Sequence, residues 1–382
     1  MSQPPRILSL AASDLGRDPR VARQRTVLQA CGSTWSAGLA PPGDGSEFVP
    51  LVQRRRTPRR RVRSLAQLLF HRHAAYAMDR YHLGAASGPP GKWDLIVAND
   101  VDTLPLAFQL AGPHTRILLD AHEYAPREFE DRFYWRVLHQ PHKTWLCRTY
   151  LPRVHGFVTV CAGIADEYAR VFRVRRPAVL PNAPPRQPGR PGPTSPAHVR
   201  LIHHGIASRS RQLELSIDLM RHLDSRFTLD LMLVASEPDY LEWLRRRAAA
   251  DARIRFRAPV PQREIVAATR DYDVGLFLLP PINLNYRFAL PNKLFEFVQA
   301  RLAIAIGPSP EMARLVRHYE LGLVAGDFTP ATLARQLNAL DAAAIDRAKH
   351  AADRAAGVLC WENVRATLED MVRQLLSEAC AA

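Results

Sequence analysis

A proline-rich stretch at 184–196 divides this chain into nearly equal halves and restricts its fold more than any other feature. Its sequence, PPRQPGRPGPTSP, cannot form a helix or a central strand, because proline lacks the backbone donor that both need. A chain of 382 residues is also too long for one ordinary domain. We therefore predict a first domain at 1–183, a linker at 184–197, a second domain at 198–360 and a final helix at 361–382.

Each half alternates short apolar runs with segments of helical periodicity. In the first half the predicted strands are 6–12, 34–39, 48–52, 94–98, 116–120, 156–160 and 178–182. In the second half they are 199–204, 229–235, 254–257, 274–279, 302–307 and 322–325. Strands separated by helices favour mostly parallel, doubly wound sheets, so the fold class is α/β with two Rossmann-like domains. In such sheets ligands bind at the carboxyl ends of the strands.

The segment 285–301 has the residue types needed to bind a nucleotide diphosphate. Pro291 suits the first turn of a helix, and a helix N-terminus attracts phosphate. Lys293 and Glu296 are three residues apart and lie on neighbouring parts of one helix face. Lys293 adds a positive charge for the phosphates, and Glu296 can accept hydrogen bonds from two hydroxyl groups, such as those of a ribose.

This segment resembles the donor-binding segment of the retaining family-four glycosyltransferases, which have the two-domain GT-B fold. Many of these relatives carry a Pro-Asn-Lys-Leu-Phe-Glu run, which this chain matches at 291–296. By resemblance Glu296 binds the ribose, and Asn292 and Lys293 belong to the donor site. The family's usual first glutamate falls on Phe288 here, so the role of that position stays open. The resemblance implies two domains facing a cleft and a last helix that crosses back to the first domain.

A small-residue loop at 205–214 follows the first predicted strand of the second half. Relatives place positive side chains around this loop, where they contact the diphosphate. Arg209 and Arg211 match those positions, and Gly205 would allow close approach of the backbone. Which arginine contacts the diphosphate is open.

The cluster Asp120-Ala-His-Glu123 begins at the end of the predicted strand 116–120, directly after Leu119. Such polar groups at the end of a buried strand are costly unless they bind something or each other. By resemblance His122 contacts the donor sugar or takes part in catalysis, and Glu123 is a second candidate that orients His122. Alternatively, His122 is hydrogen-bonded to Asp120 and holds the loop.

The first helix opens with Asp18-Pro-Arg-Val21, a form seen in many bacterial relatives. Arg20, together with Asp18, is a candidate contact to an anionic group in the cleft. The alternative is that Arg20 is a solvated residue on an ordinary helix turn.

Two aspartate pairs imitate the Asp-x-Asp metal sites of other glycosyltransferases: Asp100 with Asp102, and Asp271 with Asp273. The GT-B fold generally works without such a metal. Asp273 also precedes a buried strand, where a structural acid is common. The histidine pairs 71/73 and 203/204 lack a third ligand at suitable spacing. We therefore predict no metal and no cofactor, with the nucleotide-sugar as a substrate.

The net charge of +15 implies anionic partners. No acidic residue lies between Glu47 and Asp79, and that interval contains eight arginines. They are Arg54, Arg55, Arg56, Arg59, Arg60, Arg61, Arg63 and Arg72. The run continues into an apolar helical face formed by Leu65, Leu68, Leu69, Arg72 and Tyr76. A basic cluster beside an apolar stripe is typical of an element that lies on an anionic membrane. The alternative is a solvated basic loop followed by a core-facing helix.

The sequence thus predicts a glycosyltransferase that moves a sugar from a nucleotide-diphosphate donor to a glycan or lipid-linked acceptor, with retention of configuration. A nucleotide-sugar 2-epimerase of the same fold is the alternative. Charge alone suggests a nucleic-acid-binding protein, but the basic stretch has no interleaved aromatics, so no nucleic-acid partner is predicted. The five scattered cysteines favour a reducing compartment. We expect a cytoplasmic protein, with the segment 54–76 as a means of peripheral association with the inner face of the cytoplasmic membrane.

Overall fold

The structure is a computed structural model that describes residues 4–53, 57–83 and 92–381. The chain forms two compact units, and each is made of more than one segment of the chain. The amino-terminal unit consists of Met1–Pro181, Asn283–Asn285 and Val364–Ala382. The carboxy-terminal unit consists of Asn182–Ile282 and Tyr286–Asn363.

In the described residues, the amino-terminal unit is built on an eight-stranded sheet in the order β4-β3-β2-β1-β5-β6-β7-β8. Its strands are β1 (Arg6–Ala11), β2 (Ser33–Gly38), β3 (Phe48–Gln53), β4 (Tyr81–Leu83), β5 (Leu95–Asn99), β6 (Arg116–Ala121), β7 (Gly156–Thr159) and β8 (Ala178–Val179). Only the β3–β4 pair is antiparallel among these strands. The central strands β1, β5 and β6 are almost wholly buried, which is why they appear in the sequence as continuous apolar runs.

Helices connect these strands. They are α1 (Pro19–Cys31), α2 (Pro58–Leu69), α3 (His73–Arg80), α4 (Leu104–Leu110), α5 (Phe133–Tyr150) and α6 (Ala162–Phe172). Two of them begin with a side-chain cap followed by proline. The Asp18 carboxylate accepts from the backbone N–H of Val21, and the Thr57 hydroxyl accepts from that of Arg60.

The predicted apolar face from Leu65 to Tyr76 is wrong as a single helical face. The helix is interrupted between α2 and α3, where His71 adopts a φ of 52°, in the left-handed region. Leu68 is buried, whereas Leu65 and Leu69 are about half exposed. Arg54, Arg55 and Arg56 lie outside the described residues.

Within the described residues, the carboxy-terminal unit has a six-stranded parallel sheet in the order β11-β10-β9-β12-β13-β14. The strands are β9 (Val199–Ala207), β10 (Phe227–Ala235), β11 (Ile254–Arg257), β12 (Val274–Phe277), β13 (Ala303–Ile306) and β14 (Gly322–Val324). The remaining helices are α7 (Glu214–Met220), α8 (Pro238–Ala248), α9 (Ile265–Thr269), α10 (Leu284–Arg287), α11 (Asn292–Gln299), α12 (Pro310–His318), α13 (Pro330–Asn338), α14 (Ala342–Ala356) and α15 (Trp361–Ala381).

The structure corrects the predicted start of one helix in this half. The helix that carries Lys293 begins at Asn292, and Pro291 is its N-cap rather than its first residue. Further along, α13 and α14 are separate helices, because the Asp341 side chain accepts from the Ala344 N–H and caps α14.

The linker residues are hydrogen-bonded within the carboxy-terminal unit. The N–H of Arg186 donates to the Glu362 carboxylate at 3.0 Å, and the N–H of Thr194 donates to the Asp346 carboxylate at 2.9 Å. Side chains thus satisfy the backbone of a segment that is too rich in proline to join a sheet.

The last helix, α15, belongs mostly to the amino-terminal unit. Near its end, Nη2 of Arg116 donates to the Glu378 carbonyl at 2.8 Å. The predicted return of the last helix to the first domain is therefore confirmed. In the described part of the chain, no helix is both long and apolar enough to cross a membrane.

Candidate functional site

The side chains of Lys293 and Arg211 meet near the carboxyl end of β9, beside Gly205. Gly205 has a φ of +132°, which side chains other than glycine rarely adopt. A Cβ atom added there would lie 3.3 Å from Nζ of Lys293 and 3.6 Å from Nη1 of Arg211. Gly205 therefore keeps bare backbone next to both positive groups.

His203, which precedes His204 on β9, fixes the position of the Lys293 side chain. Nδ1 of His203 lies 3.0 Å from the carbonyl oxygen of Leu276, which can only accept. In the neutral ring Nδ1 therefore carries the proton and Nε2 is an acceptor. Nζ of Lys293 lies 3.1 Å from that Nε2 and donates to it. The ammonium also lies 3.9 Å from the centroid of the Phe277 ring, a cation–π distance.

Burial and mutual repulsion shape the ionisation of these groups. Burial, together with the nearby Arg211, lowers the pKa of Lys293 well below its ordinary value. Burial and the neighbouring Lys293 lower the pKa of His203 well below its ordinary value, and that of His204 to about 3. Both histidines are therefore neutral near pH 7, and a bound anion would stabilise the charged form of Lys293.

Glu296 lies on α11, one turn after Lys293, and is buried. Its Oε2 is 3.5 Å from Nε2 of His204, and its Oε1 is 3.4 Å from the amide nitrogen of Gln262. Nε2 of His204 is buried without a hydrogen-bond partner among the described groups. The negative charge of Glu296 raises the pKa of Lys293, which opposes the larger effects of burial and Arg211.

The two candidate arginines of the 205–214 loop occupy different surroundings. The Cζ of Arg209 lies 5.2 Å from the centroid of the Tyr240 ring, and its Nε is 3.7 Å from the Glu237 carboxylate. Arg211 instead lies beside Lys293 at Gly205. The structure therefore groups Arg211, and not Arg209, with the lysine.

The other two predicted donor-site residues, Phe288 and Asn292, lie at the connection between α10 and α11. Asn292 is the first residue of α11. Phe288 lies between the two helices, with the Cζ of Arg287 5.4 Å from its ring centroid. Tyr286, which sequence reasoning missed, has its hydroxyl 2.9 Å from the Ser210 hydroxyl, so it connects α10 to the turn that carries Arg211.

In the amino-terminal unit, His122 lies between two aspartates after β6. Its backbone N–H donates to Oδ1 of Asp100 at 2.9 Å, and its Nδ1 is 3.5 Å from Oδ2 of Asp100. Its Nε2 is 3.8 Å from the Asp120 carboxylate, too far for a hydrogen bond. This nitrogen is buried and has no hydrogen-bond partner in the described residues. The alternative in which a hydrogen bond to Asp120 fixes the ring is therefore wrong.

Asp120 instead pairs with Arg20. Nε and Nη2 of Arg20 donate to its two oxygens at 2.9 and 2.7 Å, and Nη1 donates to the Leu180 carbonyl at 2.9 Å. The alternative of a solvated Arg20 is wrong, because the residue is buried. Asp18 caps α1, and Glu123 is exposed, with its carbonyl accepting from the Tyr168 hydroxyl.

No protein-family model matches this sequence, and neither does any curated protein sequence. Solved structures do match over nearly the whole chain. Sucrose-phosphate synthase from Thermosynechococcus elongatus superposes with a TM-score of 0.72 at 13% identity, over 98% of this chain and 100% of that one. Anabaena HepE, in complex with UDP and glucose, gives 0.66 at 13% identity, over 98% and 99%. Trehalose-6-phosphate synthase from Burkholderia multivorans gives 0.65 at 12% identity, over the whole of both chains.

The chain has the GT-B fold. The predicted fold class is therefore confirmed. The superpositions establish the architecture, but at 12–13% identity the reaction has to be argued from the residues of this chain.

Within this GT-B chain both aspartate pairs contain a member with basic partners. Asp102 contacts Nη1 of Arg80 at 2.6 Å and Nζ of Lys143 at 2.5 Å. Burial opposes the ionisation of Asp102, but the two cations hold its pKa below the usual range. Asp273 contacts Nζ of Lys349 at 3.1 Å. Among the described residues, no group of three or more His, Cys, Asp or Glu is arranged to hold a metal ion.

Sequence reasoning considered His203 and His204 only as metal ligands, yet His203 contacts Lys293 and His204 contacts Glu296. The sequence did carry a signal for them. They are adjacent polar residues at the end of a buried strand, directly before Gly205. At the carboxyl end of a parallel strand, that position favours a role at a ligand site.

Proposed function

We propose that this protein is a glycosyltransferase that moves a sugar from a nucleotide-diphosphate donor to a glycan or lipid-linked acceptor, with retention of configuration. The observation that carries the proposal is the meeting of Lys293 and Arg211 at the bare backbone of Gly205. The GT-B fold supports it. Solved structures of similar fold include HepE with UDP and glucose, and an Escherichia coli trehalose-6-phosphate protein with UDP-2-fluoro glucose.

In this proposal Lys293 and Arg211 bind the diphosphate. When the bond from the anomeric carbon to the diphosphate breaks, negative charge grows on the departing phosphate. Cations already held in place stabilise that charge more in the transition state than in the ground state. His203 accepts a hydrogen bond from Lys293 and so sets the direction of the ammonium.

Glu296 would accept hydrogen bonds from the ribose hydroxyls. The nearby His204 is neutral, because burial and Lys293 lower its pKa to about 3, so its ring does not neutralise the carboxylate. Glu296 is three positions from Lys293 on α11, so the two side chains lie on neighbouring parts of one helix.

His122 is the proposed contact to the donor sugar. Its Nε2 has no hydrogen-bond partner in the described residues, so it could form a hydrogen bond with a sugar hydroxyl. For retention, the acceptor oxygen bonds to the anomeric carbon on the face that the phosphate leaves. The acceptor's proton passes to the departing phosphate, so no protein nucleophile is required.

We also propose that transfer needs no divalent metal ion, since Lys293 and Arg211 supply positive charge where the diphosphate would bind. Activity should then survive EDTA. Loss of activity in EDTA with recovery in manganese would contradict this part of the proposal.

The acceptor side of the proposal includes association with an anionic membrane through α2. Arg59, Arg60 and Arg61 are exposed on that helix, and so are Val62 and Leu69. Each basic residue close to an anionic membrane contributes about 1 kcal/mol. Cosedimentation with anionic vesicles that weakens with salt, and not with neutral vesicles, would support it.

The deciding experiment is a thermal-shift screen with UDP, GDP, TDP and ADP, followed by incubation with the matching nucleotide-sugar. We expect one nucleotide to raise Tm in the wild type and not in Lys293→Met, since ligand binding stabilises the folded state. NMR of the sugar's anomeric proton then separates transfer or slow hydrolysis from epimerisation. An epimerised donor would favour the 2-epimerase, and no shift with any nucleotide would contradict the proposal.

A further inference from the structure

The amino-terminal unit has a pocket among α2, α3 and α5. Its volume is about 590 Å³, which is large enough for a small-molecule ligand. Four arginines and one aspartate line it, so its walls carry a net charge of +3. The arginines are Arg60, Arg61, Arg63 and Arg80.

The four arginines fall into two pairs. Arg63 contacts Asp79 at 2.8 Å, and Arg80 contacts Asp102 at 2.6 Å, so each of these charges has an acidic neighbour. Arg60 and Arg61 have no ion pair with any acid that the structure describes. Arg60 and Arg61 are consecutive residues of α2 and both line the pocket, so their guanidinium groups are available to an anion with several acceptor oxygens, such as a phosphate.

The pocket also has an apolar wall. Leu65 and Leu68 of α2 and Leu138 of α5 line it beside the arginines. Its ligand should therefore combine a negative head with an apolar portion. A free phosphate would leave this wall in water.

Further large apolar side chains are exposed on the two helices that form this wall and at the end of α2. On the α2 side these are Val62 at 68%, Leu69 at 51% and Phe70 at 75% exposure. On α5 they are Phe133 at 72% and Val137 at 47%. The helices α2 and α5 pack against each other. Exposed apolar groups concentrated in this way indicate an interaction with another apolar phase.

We propose that this pocket binds the phosphate-bearing head group of a membrane lipid. Arg60 and Arg61 bind the phosphate, the leucine wall contacts the first part of the lipid chains, and the exposed apolar residues of α2 and α5 enter the bilayer surface. This goes beyond the attraction of α2 to an anionic membrane, because it names a discrete site for one lipid head group. It does not depend on the donor chemistry.

The test uses soluble probes and the full-length protein. Calorimetric titrations compare dihexanoyl phosphatidic acid below its micelle concentration, glycerol 3-phosphate and dihexanoyl phosphatidylcholine. We expect phosphatidic acid to bind at least about tenfold more tightly than either other probe, a clearly measurable difference. Equal binding of glycerol phosphate would mean a free-phosphate site and overturn the proposal, as would no binding of phosphatidic acid.

Matched variants locate the site. In the double variant Arg60→Ser with Arg61→Ser, phosphatidic acid should bind at least roughly tenfold more weakly. Arg59→Ser removes an exposed arginine of the same helix that does not line the pocket, and should stay within about twofold of wild type. The control Arg245→Ser with Arg246→Ser removes two exposed charges from α8. Equal losses in the pocket variant and this control would show only general charge attraction and overturn the proposal.

Titration of the same variants with the nucleotide found by thermal shift separates this proposal from the glycosyltransferase proposal. The Arg60/Arg61 variant should bind the nucleotide as the wild type does. Lys293→Met should lose the nucleotide and keep phosphatidic acid. A protein that binds the nucleotide but not phosphatidic acid would contradict the lipid site alone, and the reverse result would contradict the donor site alone.

Discussion

The strand ends of the two units handle charge in opposite ways. In the amino-terminal unit the buried acids have basic partners: Asp120 pairs with Arg20, and Asp102 pairs with Arg80 and Lys143. In the carboxy-terminal unit Lys293 and Arg211 meet at Gly205, and the described residues include no carboxylate in ion-pair contact with either.

Under the proposed function, this difference separates charges that hold the fold from charges that bind the donor. A buried ion pair is strongly destabilised when one partner is removed, because the other charge is left alone. A buried lysine without an acid meets that cost in the free protein through a lowered pKa, as Lys293 does. Removing it should therefore affect ligand binding more than folding.

The largest effect is expected from Asp120→Asn in the amino-terminal unit. The amide leaves the buried guanidinium of Arg20 without a counter-charge, so the free energy of unfolding should fall by about 3–5 kcal/mol. Chemical denaturation measures this. Asp14→Asn, which removes the exposed partner of Arg17, is the control and should change little. If both variants had equal stability, the Arg20–Asp120 pair would not be structural.

Lys293→Met tests the cations at Gly205 in the carboxy-terminal unit, which have no acidic partner in the described residues. The unfolding free energy should stay within about 1 kcal/mol of wild type, while nucleotide diphosphate affinity falls by about 1.5–3 kcal/mol, the range for hydrogen bonds to charged groups. Calorimetric titration and denaturation of the same preparation check both results. Lys349→Met is the matched control, since Lys349 is buried but pairs with Asp273. It should lose stability and keep nucleotide binding, and the opposite pattern would invert the comparison.

Glu296→Gln sharpens the assignment of the ribose. The amide keeps the size of the side chain but offers one acceptor oxygen in place of two, so nucleotide affinity should fall by about tenfold or less. The wild type should prefer the ribonucleotide to its 2′,3′-dideoxy form, and the variant should lose most of that preference. An unchanged preference would remove Glu296 from the ribose site.

The pH dependence of nucleotide binding is the smallest predicted effect. Burial and Arg211 lower the pKa of Lys293 in the free protein, and a bound diphosphate raises it again. Binding therefore takes up a proton, and affinity should fall as pH rises above the lowered pKa. The affinity should be measured above pH about 7, where a terminal phosphate with a pKa near 6 is already ionised and adds no pH dependence of its own. A slope that persists in Lys293→Met would have another source.

The sequence predicted the sheets well because their strands are short apolar runs with clear ends. The bounds predicted for 254–257 match β11, and those for 6–12 differ from β1 by one residue. The break between α2 and α3 was missed, since apolar spacing continues through His71, whose left-handed backbone no local pattern announces. Asp341, in contrast, carried a readable N-cap signal that divides α13 from α14.

The site was predictable where its chemistry is local. Lys293 and Glu296 lie on one short helix, and Gly205 follows a clear strand. The role of His203 was not predictable, because its tautomer depends on the Leu276 carbonyl, 73 residues away on another strand. Nor was the partner of Arg20, which is 100 residues away at Asp120. Which of Arg209 and Arg211 approaches Lys293 depends on the rotation of one tight turn, which spacing alone does not fix.

That last distinction supplies the most direct test of the central claim, that unpaired cations at Gly205 bind the diphosphate. The measurement is the dissociation constant of the nucleoside diphosphate for Arg211→Gln and for Arg209→Gln, two equal charge changes two residues apart. We predict that Arg211→Gln weakens binding by about tenfold or more, while Arg209→Gln stays within about twofold of wild type. Equal losses in the two variants, or a larger loss in Arg209→Gln, would contradict the account.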